Sequence, residues 1–178
     1  MTKDVLRILA VDPGTRHMGV AIIQGEELLY YAVKSFKEKR PAYQLLIATR
    51  DALVQLIDDY RPRVLAYEKT FYVQQKSSAM LHVQEMEIAR LGRTKGLVVI
   101  GHSPQHIRKI LCRDGRATKE AVAAALTQRF PQLEGYRVTN APRRAKYWHN
   151  MFDAVAVGVV CGEEARVSES AVPLEFPA

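Results

Sequence analysis

Short apolar runs open the chain and longer periodic ones follow. Val5 to Val11 is β-branched and aliphatic, Gly19 to Ile23 is similar, and Leu28 to Val33 follows a Gly25-Glu26 turn. Three such runs with tight turns predict an antiparallel meander. From Ala42 to Tyr60 the period changes: Ala42, Leu45, Leu46, Thr49, Ala52, Leu53, Leu56, Ile57 and Tyr60 line one face, and Arg50, Asp51, Asp58 and Asp59 take the other. This is the pattern of an amphipathic helix, stopped before Pro62. Val64 to Tyr67 is a short apolar run ending at Glu68, Ser77 to Leu91 reads as a second helix, and Leu97 to Ile100 as another buried strand. Ser103-Pro104 and Thr118 are helix-start signals, the second ahead of Lys119 to Arg129. Trp148, Met151, Phe152, Val155, Ala156, Val159 and Val160 then recur at helical spacing, which predicts a helix from about Tyr147 to Cys161.

Three strands, then helix, strand, helix, strand and further helices predict an α/β fold with a central mixed five-stranded sheet flanked by helices. A helical crossover joins the meander to the Val64 run, so the first strand and that run are expected side by side and parallel. Their carboxyl ends are then neighbours, at the edge where open α/β sheets build their sites. That edge carries Asp12 and Glu68. One domain is expected over residues 1–163, with an acidic, loose tail over 164–178.

A length of 178 residues suits a single core, and 48% hydrophobic with 25% charged residues excludes a disordered or collagen-like chain. No apolar run approaches the ~18 residues of a membrane span, and Met-Thr-Lys-Asp lacks the apolar stretch of a secretory signal. A soluble, cytoplasmic protein without membrane contact is expected. Cys112 and Cys161 supply neither a disulfide framework nor a C-x-x-C zinc pair, and read as reduced core residues. The net charge of +7 points to a polyanionic partner, and it is regional. Between Arg108 and Lys119 five basic residues face only Asp114, and Arg137, Arg143, Arg144 and Lys146 face no acid, whereas the tail is acidic.

The acids carry the candidate chemistry. Asp12 ends an apolar strand before Pro13-Gly14, where a simple turn residue would also stand. Glu68 follows Val64-Leu65-Ala66-Tyr67 directly, where a solvated strand end is the plainer account. Asp153 interrupts an otherwise apolar helix, so a Lys or Arg must pair with it or a metal must sit between it and other acids. Together the three favour a divalent-metal site. His149 and Asn150 precede Asp153 by four and three residues and share part of its helical face. Tyr136, Tyr147 and Trp148 among Arg137, Arg143, Arg144 and Lys146 suit phosphate contact and base stacking, or equally a solvated face over core aromatics.

These residues, in this order, resemble the RuvC Holliday-junction resolvases, which have an RNase H-like fold. Asp-Pro-Gly-x-x-x-x-Gly at 12–19 is similar to that family's first catalytic strand and turn, and Glu68-Lys69-Thr70-Phe71 to its second acid followed by an aromatic. Ser103-Pro104-Gln105-His106-Ile107-Arg108 and Gly115-Arg116-Ala117-Thr118-Lys119-Glu120 resemble its basic DNA-contacting stretches, and Asp153-Ala154-Val155-Ala156 its final acid and helix. The likeness spans nearly the whole chain.

The resemblance implies a Mg2+-dependent endodeoxyribonuclease that resolves four-way junctions by paired nicks from a homodimer. Asp12, Glu68 and Asp153 would hold two Mg2+, with Mn2+ as an alternative, and Asn150 and His149 would be further ligands. Lys119 would be catalytic, and Phe71, Lys76, Arg108, Arg116, Lys119, Arg143, Arg144 and Lys146 would contact DNA. A branch-migration helicase partner has no support in the sequence. Ser77 to Leu91, with Met80, Leu81, Val83, Met86 and Ile88, is expected to form the dimer contact or to pack on the sheet. The family usually has Asp, sometimes His, where this chain has Asn150. Two other readings stand beside this one: a broader branched-DNA and flap nuclease of the same fold and, because Asn150 replaces the expected acid, a junction-binding protein with weak chemistry.

Overall fold

The computed structural model describes residues 5–37, 41–70, 76–137 and 141–171. Strands β1 (Arg7–Asp12), β2 (His17–Gln24) and β3 (Glu27–Ser35) form the antiparallel meander expected from the opening runs. Helix α1 (Ala42–Tyr60) leads into β4 (Val64–Glu68), helix α2 (Lys76–Thr94) into β5 (Val98–His102), and α3 (Pro104–Cys112), α4 (Lys119–Arg129), a 3-10 turn (Pro131–Tyr136) and α5 (Pro142–Ala171) complete the chain. The sheet order is β3-β2-β1-β4-β5, with β1 parallel to β4 and β4 parallel to β5. The central place of β1 explains its sequence: five of its six residues are buried, and a strand covered on both faces reads as a continuous apolar run.

Helices cover both faces. Leu9, Val11 and Leu65 pack with Leu53, Leu56, Ile88 and Leu91 of α1 and α2. Ile8, Ala10, Val64 and Ala66 pack with Ile107, Leu126, Met151, Val155 and Val159 of α3, α4 and α5. The two oxygen caps form as expected: Ser103 Oγ accepts from His106 N at 3.2 Å and Thr118 Oγ1 from Ala121 N at 3.2 Å.

β5 and α5 outrun the pattern. β5 runs on to His102, beyond the apolar stretch, because its pairing with β4 continues through Tyr67↔Gly101 and Glu68↔His102. α5 begins at Pro142, where a missing N–H costs nothing, and does not stop at Cys161. Residues 164–171 are helical rather than a loose tail. Side-chain contacts hold that extension: ion pairs of Glu163 with Arg129 and of Arg166 with Glu26 at 2.7 Å, and a hydrogen bond between Glu164 and His106. Of the cysteines, Cys161 is buried and Cys112 half-buried, both free. No helix among the described residues is long and apolar enough to cross a membrane.

Candidate active site

Strand alternation brings the acids together. Side chains two apart share a face, so Asp12 continues the row of Ile8 and Ala10, and Glu68 the row of Val64 and Ala66, both on the face covered by α5. The parallel register Ala10↔Ala66 and Val11↔Tyr67 sets Asp12 and Glu68 at the same level on adjacent strands. Across that face α5 supplies Asp153, set among the buried Met151, Phe152, Ala154 and Val155. Gly19, paired with Asp12 in β2, lets α5 come this close, since a Cβ there would meet the backbone of Asn150.

The acids are electrostatically crowded. Burial, then the charges of Asp153 and Glu68, pushes the Asp12 carboxyl well above its ordinary range against the pull of Lys119. Burial and Asp153 raise Glu68 to about 7, with Lys119 and Arg108 opposing. Lys119, the first residue of α4, lies with Nζ 2.5 Å from Asp153 Oδ2. Burial works against its charge, but Asp153, Asp12 and Glu68 together hold its pKa above the usual value. Two strand-end carboxyls, Asp12 and Glu68, that resist ionisation, beside a third acid carrying an ammonium group against it, are a donor set that suits hard divalent cations. The residues therefore fit the metal expected of them.

The other expected residues fall into three groups. Arg108 on α3 is near enough to Glu68 to favour its charged form, while Arg116, Arg143, Arg144 and Lys146 are exposed on the turn before α4 and the first turns of α5. Asn150 Nδ2 donates to Lys146 O at 3.2 Å and Tyr147 O at 3.0 Å, so its carbonyl oxygen is the atom it can offer a cation. His149 lies in the wall of a small cavity with Glu120, Tyr136, Arg137 and Phe152, a lining that includes none of the three acids. Lys76 opens α2, and Phe71 lies outside the described residues.

Two supporting residues escape a reading of the sequence for chemistry. Gln84, fully buried on α2, donates through Nε2 to Thr49 Oγ1 at 2.9 Å and to Gly14 O at 3.3 Å, gripping the turn after Asp12. Glu85 beside it accepts from Thr70 N at 3.1 Å and Thr70 Oγ1 at 2.5 Å, gripping the segment after Glu68. The signal was an interrupted stripe: Met80, Gln84 and Ile88 share one helical face, and the middle member is polar.

A mixed five-stranded sheet with acids at the ends of two adjacent parallel strands, a third acid on the covering helix and a lysine against it defines an RNase H-like nuclease architecture. The model of the family "Crossover junction endodeoxyribonuclease RuvC" matches residues 8–160, and the chain belongs to that family. Membership makes the protein a junction-resolving endonuclease. A curated relative, the crossover junction endodeoxyribonuclease RuvC of Nitrobacter hamburgensis, is 28% identical over 139 residues, 75% of this chain and 82% of its own length. The fold is also that of Thermus thermophilus RuvC, with a TM-score of 0.74 at 20% identity, covering 92% of this chain and 97% of that one. The same Thermus protein in complex with a Holliday junction substrate gives 0.72 at 19% identity, covering 91% and 96%.

Proposed function

We propose that this protein cuts four-way DNA junctions by metal-assisted phosphodiester hydrolysis, with Asp12, Glu68 and Asp153 holding two Mg2+ and Asn150 adding a neutral oxygen. The observation that carries this reading is the level placement of Asp12 and Glu68 beneath Asp153, with two of these carboxyls raised in pKa. When bound, the ions supply a water nucleophile at neutral pH and neutralise charge on the leaving oxygen. The chain's own residues do the rest. The acids converge from three elements, so their positions are fixed by the sheet and by α5 rather than by loops. Lys119, tied to Asp153, is the ammonium that stabilises charge growing on the phosphoryl oxygens.

Arg108, Arg116, Arg143, Arg144 and Lys146 supply phosphate contacts without sequence information, so affinity falls steeply as salt rises. Phe71 is assigned the aromatic contact at the opened junction, and Lys76 a phosphate contact. Pairing of nicks calls for a homodimer. The exposed Val83 and Met86 on α2 are its contact, while Ile88 on the same helix packs inward. Because Gln84 and Glu85 hang the two strand-end loops on that helix, dimer contact and active site share one support.

The test is a nicking assay on a synthetic four-way junction, a flap and an RNA-DNA hybrid, with and without Mg2+. Paired Mg2+-dependent nicks in the junction, with slower cleavage of the other two, support the proposal. Equal rates on all three substrates favour the broader nuclease, and binding without nicks under every condition favours a binder with weak chemistry.

A further inference from the structure

A second cluster of metal-ligating side chains, with none of the three acids among them, begins one strand over from Glu68, at its partner His102. His102 ends β5, His106 sits in the first turn of α3, and Glu164 stands near the end of α5. Each offers one ligand atom, and these atoms all lie within 4.8 Å of one another. His106 Nε2 is 2.5 Å from Glu164 Oε1, and His102 Nδ1 is 3.7 Å from Glu164 Oε2. The two imidazoles stack with centroids 5.6 Å apart and planes inclined by 8°.

His102 is the anomaly within the cluster. It is 6% exposed, its Nε2 is buried without a hydrogen-bond partner, and its Nδ1 is too far from Glu164 to hydrogen-bond. Turning the ring over would exchange Nδ1 with Cδ2 and Nε2 with Cε1; as the ring stands, Nδ1 is the nitrogen that faces Glu164, beyond hydrogen-bond distance. A buried polar ring at a strand end needs a partner that the protein alone does not provide.

We propose that His102, His106 and Glu164 form a second metal centre, one that takes a borderline divalent transition metal of the Zn2+ class. Imidazole and carboxylate together suit Zn2+ and Co2+, whereas Mg2+ prefers an all-oxygen set such as the acids provide. Ligands around a tetrahedral zinc stand about 3.3 Å apart, which the observed 2.5 and 3.7 Å bracket, so small side-chain adjustments close the site. Glu164 lies three turns beyond Asp153, about 16 Å along α5, and none of the three acids belongs to the cluster, although His102 neighbours Glu68 across β4 and β5. The ion would fasten the end of α5 and the start of α3 to the edge strand β5. His106 is two residues before Arg108, the side chain that α3 brings towards Glu68, so the centre anchors the helix that serves the active site.

The test uses the full chain stripped of metal by a chelator, then loaded with Co2+ in excess Mg2+ that saturates the acids. The visible absorption of the bound ion, its stoichiometry by elemental mass spectrometry and its displacement by Zn2+ are read together. One equivalent of Co2+ per chain is expected in the unaltered protein and in Asp12→Asn. His106→Ala and Glu164→Gln should each weaken it by about tenfold or more. His106 and Glu164 are both partly exposed, and a circular dichroism melt confirms that each variant is folded. Absence of a retained ion from the unaltered protein, unchanged affinity in folded His106→Ala and Glu164→Gln, or loss of the ion in Asp12→Asn would each overturn the proposal. The result does not depend on whether the protein nicks a junction.

Discussion

Gly19 lies so close to Asn150 that a Cβ on it would stand 1.7 Å from the Asn150 carbonyl oxygen and 2.4 Å from its carbonyl carbon. The obstructing atoms are backbone, so no rotamer change relieves them. Because Gly19 pairs with Asp12, this contact sets how far α5, and with it Asp153, stands from the strand acids. Gly19→Ala is therefore expected to lower stability by about 1 to 3 kcal/mol, the usual range for overpacking. It should slow nicking about a hundredfold, because a displacement of roughly 1 Å at a catalytic group has that effect. A thermal melt and single-turnover nicking measure the two losses. A variant with normal rate would show that the helix position does not govern the chemistry.

Asp12 is buried beside two other carboxylates, and its raised pKa records the strain of keeping its charge there. Asp12→Asn keeps the shape and removes the repulsion. In metal-free buffer at neutral pH the variant should be more stable than the parent by about 1 to 2 kcal/mol, a Tm gain of roughly 2 to 8 °C. It should nick no junction. A lower Tm than the parent would mean that Asp12 is held by compensating contacts, and would remove the reason for placing a cation beside it.

Glu68 titrates near 7 when folded and at an ordinary 4.5 otherwise, so between those values the folded chain holds the extra proton. Its contribution favours the folded state below pH 4.5 and is lost as pH rises through about 7. The metal-free protein should lose stability across that window, and Mg2+ should raise Tm more at pH 8 than at pH 6. Calorimetry at both pH values, with and without Mg2+, tests this. A Mg2+ effect that is equal at the two pH values would separate Glu68 from the metal.

Much of this was legible in advance because it rests on short periods. Alternation along Ile8, Ala10 and Asp12, and along Val64, Ala66 and Glu68, puts the acids on one face once the crossover makes the strands parallel. The need of Asp153 for a positive partner followed from its apolar neighbours, and Lys119 proved to be that partner. Contacts that depend on how the elements close were hidden. Nothing local says that Gln84 reaches Gly14, or that Gly19 meets Asn150, because helix and strand approach only after the sheet is covered. His102 was missed because a polar residue after Gly101 reads as a loop, whereas its burial depends on α3 and α5.

Lys119 can be a structural partner of Asp153 or the group that stabilises the transition state, and Lys119→Met separates the roles. As a transition-state cation its loss should slow nicking about a hundredfold or more, while junction affinity, spread over many phosphate contacts, falls less than tenfold. Single-turnover rates at saturating enzyme, beside gel-shift affinities, give both values. A folded variant with normal rate would leave Lys119 as a salt-bridge partner alone.

Asn150 stands one helical turn before Asp153, and its amide donates to Lys146 O and Tyr147 O. Asp at that position could not donate, so Asn150→Asp gives up these bonds and turns a carboxylate oxygen towards the same carbonyls. It also adds a negative charge to a cluster that already raises the pKa of Asp12 and Glu68. The metal-free variant should therefore be less stable than the parent, by about 1 kcal/mol or more. Cations reverse the sign, because a fourth carboxylate strengthens the attraction that holds a second Mg2+. The Mg2+ concentration giving half-maximal nicking should fall about tenfold, with a higher rate at low Mg2+ and little change at saturation. If the Mg2+ dependence is unaltered while the metal-free protein is destabilised, residue 150 serves the helix and not the metal, and the site consists of the three acids and Lys119.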